Sequence, residues 1–301
     1  MSTRISVVIP VYNKLELFKR NLKINFPYLQ DCEIIVVDDA SSEDVQSFIT
    51  SEYPKITYIK NEMNLGFSPT VNVGINRSHG DMMLLLNTDV TIKENPQRLL
   101  TYFEKNQKLF AVSFAQIEKN GEVVGKNRLY FDKGFVMHSK AHNLKPGLNA
   151  WAEGGACLIQ RKYLNKLGNF CEMYAPFYWE DIDLSYRAYA AGWEIYFDPS
   201  YVVNHQHEST IHSFFDTKYV KTIAYRNQFI FTWLNMHEKN YLKRHVQAIP
   251  GRLIHGFVHS DFAIVRGFFM AILLLPDIRK IRSHNGAARV VKDSTIFDRL
   301  G

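Results

Sequence analysis

Four apolar runs in the first 90 residues leave few choices of fold. They are Ile5-Ser6-Val7-Val8-Ile9, Glu33-Ile34-Ile35-Val36-Val37, Ile56 to Ile59 and Met82 to Leu86. A strand with one wet face alternates apolar and polar residues. A run that is apolar at nearly every position is buried on both faces, as in a parallel sheet. Between these runs apolar residues recur at helical spacing, as in Leu15, Phe18, Leu22, Phe26 and Leu29. Such alternation is the signature of an open α/β sheet with helices on both faces. Ser41 is placed to cap the second helix, with Glu43 and Asp44 in its first turn. Ser68-Pro69 opens the third, which Gly80 closes, and Asn95-Pro96 starts another.

The pattern then loosens. Asn120-Gly121 reads as a hairpin turn. Residues 132–152, rich in Gly, Lys, His and Asn, read as a loop over one face. Ala156 to Gln160 reads as a strand, and Lys162 to Leu167 as a short helix stopped by Gly168. Glu180 to Ala191 reads as a helix ending at Gly192. Trp193 to Phe197 and Tyr201 to Val203 read as two short strands. From about Ile211 the pattern is helical.

Composition narrows the class. A chain of 301 residues, 46% of them hydrophobic, can bury a core without staples. Three cysteines with no CxxC pair speak against a disulfide framework or a structural zinc site. Cys32 and Cys157 read as packed thiols in a reducing, cytoplasmic setting. The chain opens directly into a strand, without a signal-peptide pattern. No apolar stretch reaches the roughly 20 residues of a spanning helix. The net charge of +6 is uneven: residues 239–301 carry +7, leaving −1 for the first 238. The same tail holds the longest apolar run, Gly267 to Leu275. Basic plus apolar points to an anionic membrane surface rather than nucleic acid, or to a solvated basic face beside a core helix.

In an open α/β sheet, ligands bind beyond the carboxyl ends of the strands. Pro10-Val11-Tyr12-Asn13, Asp38-Asp39-Ala40-Ser41, Asn61 to Gly66 and Asn87-Thr88-Asp89 follow the four runs. Polar groups from four segments thus gather at one edge. Neither GxGxxG nor GxxxxGK[ST] is present, so no glycine cradle for phosphate is built here. Asp89 at a strand end suits a hard cation such as Mg²⁺ or Mn²⁺, which bridges a carboxylate to diphosphate oxygens. Asp39 suits the N3–H of uracil or thymine.

At this point the sequence resembles the inverting family-2 glycosyltransferases of the GT-A fold, in the branch with rhamnosyltransferase-like enzymes. The matching segments are Val8 to Asn13, Val36 to Ser41, Asn64 to Phe67, Leu84 to Asp89, Gly154-Gly155-Ala156, Tyr178 to Leu184 and Tyr225-Arg226-Asn227. The resemblance implies a Rossmann-like, mostly parallel sheet in residues 1–210 and a helical, basic region in 211–301. It makes Pro10, Val11, Tyr12, Asp39, Ser41, Asn64, Gly66, Asn87, Thr88 and Asp89 the donor-binding set, with Asp39 on the base. Asp181, in the Glu180-Asp181 pair, becomes the general base. Asp89 ends the metal-binding DxD motif, whose first acid is Asn87 here. The family's metal-ligand histidine falls on His205, with His207 as its neighbour. Gly154, Gly155, Tyr178 and Trp179 are candidates for sugar or acceptor contact. Tyr178 and Trp179 read equally as core aromatics.

The expected activity is metal-dependent hexosyl or deoxyhexosyl transfer from a UDP- or dTDP-sugar to a saccharide acceptor, lipid-linked, in cell-surface polysaccharide assembly. Mn²⁺ or Mg²⁺ is the cofactor. The expected setting is cytoplasmic and peripheral on the inner face of the plasma membrane, with a homodimer as a further possibility and no nucleic acid. Two alternatives stay open: a non-catalytic nucleotide-sugar-binding or scaffold protein, and a sugar-phosphate nucleotidylyltransferase. The latter needs a glycine-rich loop after the first strand, which Pro10-Val11-Tyr12-Asn13 lacks.

Overall fold

The computed structural model describes residues 3–205, 214–285 and 289–301. The expected domain boundary near 210 and His207 lie outside them. The four apolar runs are strands β1 (Ile5–Val11), β2 (Glu33–Asp38), β3 (Thr57–Lys60) and β4 (Met82–Leu86). They pair in parallel in the order β3-β2-β1-β4. The sheet continues through antiparallel β11 (Ala156–Gln160) to β6 (Leu109–Glu118), which pairs in parallel with β12 (Glu194–His205). A short β5 (Val90–Ile92) pairs antiparallel with β12.

Both faces of the parallel core are covered. Val7, Ile9, Val11, Leu84 and Leu86 face Phe18 and Leu22 of α1 (Leu15–Asn25) and Val45 and Ile49 of α2 (Val45–Glu52). Val8, Met83 and Leu85 belong to the other cluster, with Val71 and Ile75 of α3 (Phe67–Arg77). The period of two along each strand sorts its side chains to opposite faces. That is why these strands carry so few polar residues.

Five details differ from the sequence reading. Asp44, not Ser41, caps α2: its carboxylate accepts from Ser47 N at 3.0 Å. Helix α3 ends at Arg77, before Gly80. Gly80 N instead donates to Ser6 Oγ at 2.7 Å. Residues 132–152 are no simple loop. The hairpin β8 (Asn127–Asp132) and β9 (Phe135–Lys140) turns at Lys133-Gly134, both at positive φ. The two short strands expected near 193–203 are one strand, β12, irregular between Asp198 and Val202. Ser200 N donates to Asp198 Oδ1 there, at 2.9 Å. The run Gly267 to Leu275 is broken between two helices, α9 (Phe262–Leu273) and α10 (Leu275–Asn285). All three cysteines are free, and burial pushes the Cys32 thiol up to about 11.

The C-terminal helices are α7 (Thr217–Asn235), α8 (Lys239–Val258), α9, α10 and α11 (Asp293–Leu300). Helix α7 packs against α6 (Glu180–Ala190), where Phe231 meets Trp179 and Tyr186 at 5.1 and 5.2 Å between ring centres. Its Asn227 donates to three carbonyls, those of Tyr174, Phe177 and Tyr178, at 2.8–2.9 Å. An amide NH₂ has two hydrogens, so one is shared. Tyr178 and Trp179 sit at φ of 70° and 78°, a region costly for residues with a Cβ. The Asn227 side chain therefore holds a strained bend that leads straight into α6. Below it, Asp183 accepts from Tyr174 Oη, Asn235 Nδ2 and Arg187 Nε. Asp183, although in the acidic motif, is fully buried and serves packing.

Net contributions of about 1 kcal/mol per hydrogen bond, plus carbonyls left wanting, predict that Asn227→Ala costs about 2–4 kcal/mol. Urea denaturation measures it, and a loss under about 1 kcal/mol would show that the bend holds itself.

Candidate functional site

A cleft of about 730 Å³ opens beyond the C-terminal ends of β1, β2 and β4. Pro10, Val11, Tyr12, Asp39, Asn64 and Gly66 line one part of it. Asp39 is buried and fixed by three donors. Its Oδ1 accepts from Asn61 Nδ2 and Leu65 N, both at 2.8 Å, and its Oδ2 from Gly66 N at 2.9 Å. A carboxylate offers about four acceptor directions, so one on Oδ2 remains for a ligand. Gly66 has φ of 86°, and a Cβ there would lie 2.6 Å from Pro176 Cα. Only glycine allows this turn and this close approach. Ser41 does not line the cleft. Its Oγ accepts from Asn13 N at 2.8 Å and so ties the loop after β2 to the loop after β1.

Asn87, Thr88 and Asp89 form the turn between β4 and β5 and all line the cleft. Two amides of α1 hold this turn: Asn21 Nδ2 donates to Thr88 O and Asn25 Nδ2 to Val90 O, both at 2.9 Å. The last residue of β12, His205, places Nε2 3.3 Å from Asp89 Oδ1. Burial pulls the His205 pKa down, but the hydrogen bond and charge of Asp89, with Glu153 and Glu118 further off, outweigh it and raise it. Asn87 Oδ1 is buried and has no hydrogen-bond partner among the described residues.

No group of three or more His, Cys, Asp or Glu among the described residues could hold a metal ion. The described residues supply one carboxylate, one imidazole and one orphaned amide oxygen here. That set would fit a divalent cation completed by ligands from outside the protein, with the imidazole favouring Mn²⁺ over Mg²⁺.

Glu180 and Asp181 start α6 and line the cleft beside Gly154 and Gly155. Asp181 Oδ1 accepts from Ile182 N at 2.8 Å and Oδ2 from Gly154 N at 3.4 Å. Burial and then the charge of Glu153 push its pKa up to about 6, against the pull of those two amides. Glu180 is raised well above the ordinary range by burial and then by Asp181. Its Oε2 has no partner among the described residues. Two adjacent carboxyls are thus split into one that keeps its proton and one that sheds it near pH 6.

Tyr178 lines the cleft, whereas Trp179 is 5% exposed and faces the core between Phe231 and His138. The aromatic choice that the sequence left open therefore falls differently for the two neighbours. The sequence reading missed Glu153 and Phe177, which also line the cleft, and Gln116 behind it. Two signals were available: an acid directly before Gly154-Gly155, and a glutamine inside the apolar run of β6.

Residues 6–168, more than half of the chain, match the model of Glycosyl transferase family 2, and the chain belongs to that family. It is 26% identical over 230 residues to the probable glycosyltransferase YdaM of Bacillus subtilis, a match that covers 69% of this chain and 51% of that protein. The chain thus spans about half the length of that relative. Among solved structures, the mannosyltransferase PcManGT of Pyrobaculum calidifontis, in complex with GDP-Man and Mn²⁺, aligns with a TM-score of 0.56 at 14% identity. That alignment covers 96% of this chain and 86% of that one. GalNAc-T7 with UDP, GalNAc and Mn²⁺ aligns at 0.58 and 16% identity, covering 77% of this chain and 48% of that one. Identities this low speak for the fold, which is GT-A-like.

The carboxyl of Asp181 gives a prediction independent of turnover. Its folded pKa, about 6, lies above the ordinary 3.8. Its bound proton therefore favours folding fully below pH 3.8, and that advantage is lost as the pH rises to about 6. Asp181→Asn does not ionise and keeps it. Urea denaturation from about pH 4 to 7 is expected to show the variant gaining stability over the wild type as pH rises. A constant difference across that range would remove the assignment.

Proposed function

We propose that this chain is an inverting glycosyltransferase of the rhamnosyltransferase-like branch. It moves a hexosyl or deoxyhexosyl group from a UDP- or dTDP-sugar to a hydroxyl of a lipid-linked saccharide during cell-surface polysaccharide assembly. The observation that carries this reading is the meeting, in one cleft, of the ionisable Asp181 with the Asp39 and Asp89–His205 groups. Inversion in one displacement needs a base on the acceptor side and charge relief on the donor side. Asp181 takes the acceptor hydroxyl proton, and the N-terminus of α6 favours its ionised form. Asp39 accepts the N3–H of uracil or thymine on its free Oδ2 direction. Asp89, His205 and Asn87 would hold a divalent cation, which would supply positive charge to the departing diphosphate. Neutral Glu180 is a hydrogen-bond donor next to the base.

The test is release of nucleoside diphosphate from UDP- and dTDP-sugars with Mn²⁺. Asp181→Asn is expected to lower turnover by roughly 10²–10⁴-fold while donor binding is kept. Near-normal turnover in that variant would take the role from Asp181.

Support for a lipid-borne acceptor comes from α8 and α9. Gly267, Ala271 and Ile264 are buried, and Gly267 lies against α7, where a Cβ would come within 2.8 Å of Thr222 O. The outer side carries Phe257, Val258, Phe269 and Leu273 at 58–79% exposure, with exposed Arg266, Arg279 and Lys280 on α9 and α10. Met270 of α9 packs against the cluster of Phe177, Val220 and Ile223, of which Phe177 lines the cleft. Among the described residues no helix is long and apolar enough to cross a membrane. An apolar face rimmed by cations docks in the interface of an anionic bilayer. Co-sedimentation is expected with anionic but not neutral vesicles, weakening with salt. Replacing Phe257 and Leu273 by Asp is expected to weaken it at least about tenfold. Equal sedimentation of wild type and variant would place the contact elsewhere.

A further inference from the structure

A polar chain runs behind the proposed cation site, drawn from strands β12, β6 and β8 and the loop before β11. His205 Nδ1 lies 2.6 Å from Gln116 Oε1. Gln116 Nε2 in turn donates to Glu153 Oε2, and Asn127 Nδ2 donates to Glu153 Oε1 at 2.8 Å. Gln116 is 1% exposed and His205 7%. The polarity of this chain follows from chemistry. A carboxylate only accepts, so Gln116 must turn its NH₂ toward Glu153. That leaves its carbonyl oxygen for His205, which must then carry its proton on Nδ1. Nε2 faces the Asp89 carboxylate, 3.3 Å away, and donates to it; with Nδ1–H committed to Gln116, Nε2 is the nitrogen that would give up its proton and offer its lone pair to a cation. The backbone of Asn127 is itself anchored: its N donates to Asn149 Oδ1 at 2.7 Å, and Asn149 Nδ2 is bound to Ser113 Oγ and Gly125 O.

We propose that Gln116, polarised by Glu153, is a positioning residue that locks His205 in its metal-binding tautomer and so sets the affinity of the site for a divalent cation. This rests on the reading that Asp89 and His205 bind one. Neither Gln116 nor Glu153 needs to touch the cation. Partners that orient a ligating histidine through its second nitrogen are worth about 10–100-fold in metal affinity.

The probe is Mn²⁺ alone, titrated into the full chain with free Mn²⁺ counted by electron paramagnetic resonance, with and without UDP. Gln116→Leu is expected to raise the Mn²⁺ Kd by about 10–100-fold. Glu153→Gln removes the polarising carboxylate and is expected to weaken binding in the same direction. In the double variant Gln116→Glu with Glu153→Gln, a carboxylate at position 116 accepts from both neighbours. It is expected to bring the Kd back to within about threefold of wild type. That rescue also separates orientation from a general loss of folding, which thermal melting of each variant monitors. Wild-type affinity in a folded Gln116→Leu, or a double variant as weak as the singles, overturns this inference alone. A wild type that shows no saturable Mn²⁺ binding overturns the metal-dependent reading as well.

Discussion

The clamp that Asn227 places on the carbonyls of Tyr174, Phe177 and Tyr178 is the interaction on which the site depends. It ties the bend at Tyr178 and Trp179, both in the left-handed region, to α7 and so helps to fix where α6 starts. With it, the first turn of α6 is aimed at the cleft from behind. The neighbouring Asp183–Arg187 pair, buried and fully bonded, fixes the same turn from below. Arg226 adds a guanidinium to the carbonyls of Tyr174 and Ala175. A loop that by itself would cost strain is thus overdetermined by helix α7.

The same scaffold explains how several carboxylates coexist in one cleft. Each is handled differently. Asp38, buried next to the cleft rather than lining it, is spent on structure, accepting from Ser41 N and Tyr58 Oη. Asp39 is saturated by amides except in one direction. Asp89 leans on His205. Glu153 is satisfied by two side-chain amides, and its charge is felt at Asp181 and His205. Glu180 is left neutral by burial. In a medium less polar than water, like charges at this density are tolerable only if some are bonded, some neutralised and some countered.

Much of this was legible in the sequence, for identifiable reasons. The four parallel strands were readable because burial on both faces removes polar residues, a signal carried by each run alone. The polar segments after them followed from the topology. Ser41 was misread as a cap because its hydroxyl is engaged by Asn13, on another strand's loop, while Asp44 stands nearer the helix. The hairpin 127–140 was hidden because Lys133-Gly134 is an uncommon turn pair and its strands carry exposed His138 and Lys140. Trp179 and Tyr178 are chemically alike, and only the packing of α7 assigns one to the core and the other to the cleft. Gln116 could not be placed from sequence. Its meeting with His205 follows from the parallel register of β6 and β12, which sets Gln116 opposite Val203 and Glu118 opposite His205.

The stretch that defines family membership, residues 6–168, and the stretch that completes the site do not coincide. Asp39 and Asp89 lie inside it; Asp181, His205 and Asn227 all lie beyond. A fragment cut at residue 168 would retain Asp39 and Asp89 and lose Asp181, His205 and the helix that carries Asn227. Swapping the segment around Asp181 between relatives means exchanging everything from the bend at Tyr178 through α7 as one block, because the amide that clamps the bend travels with the helix.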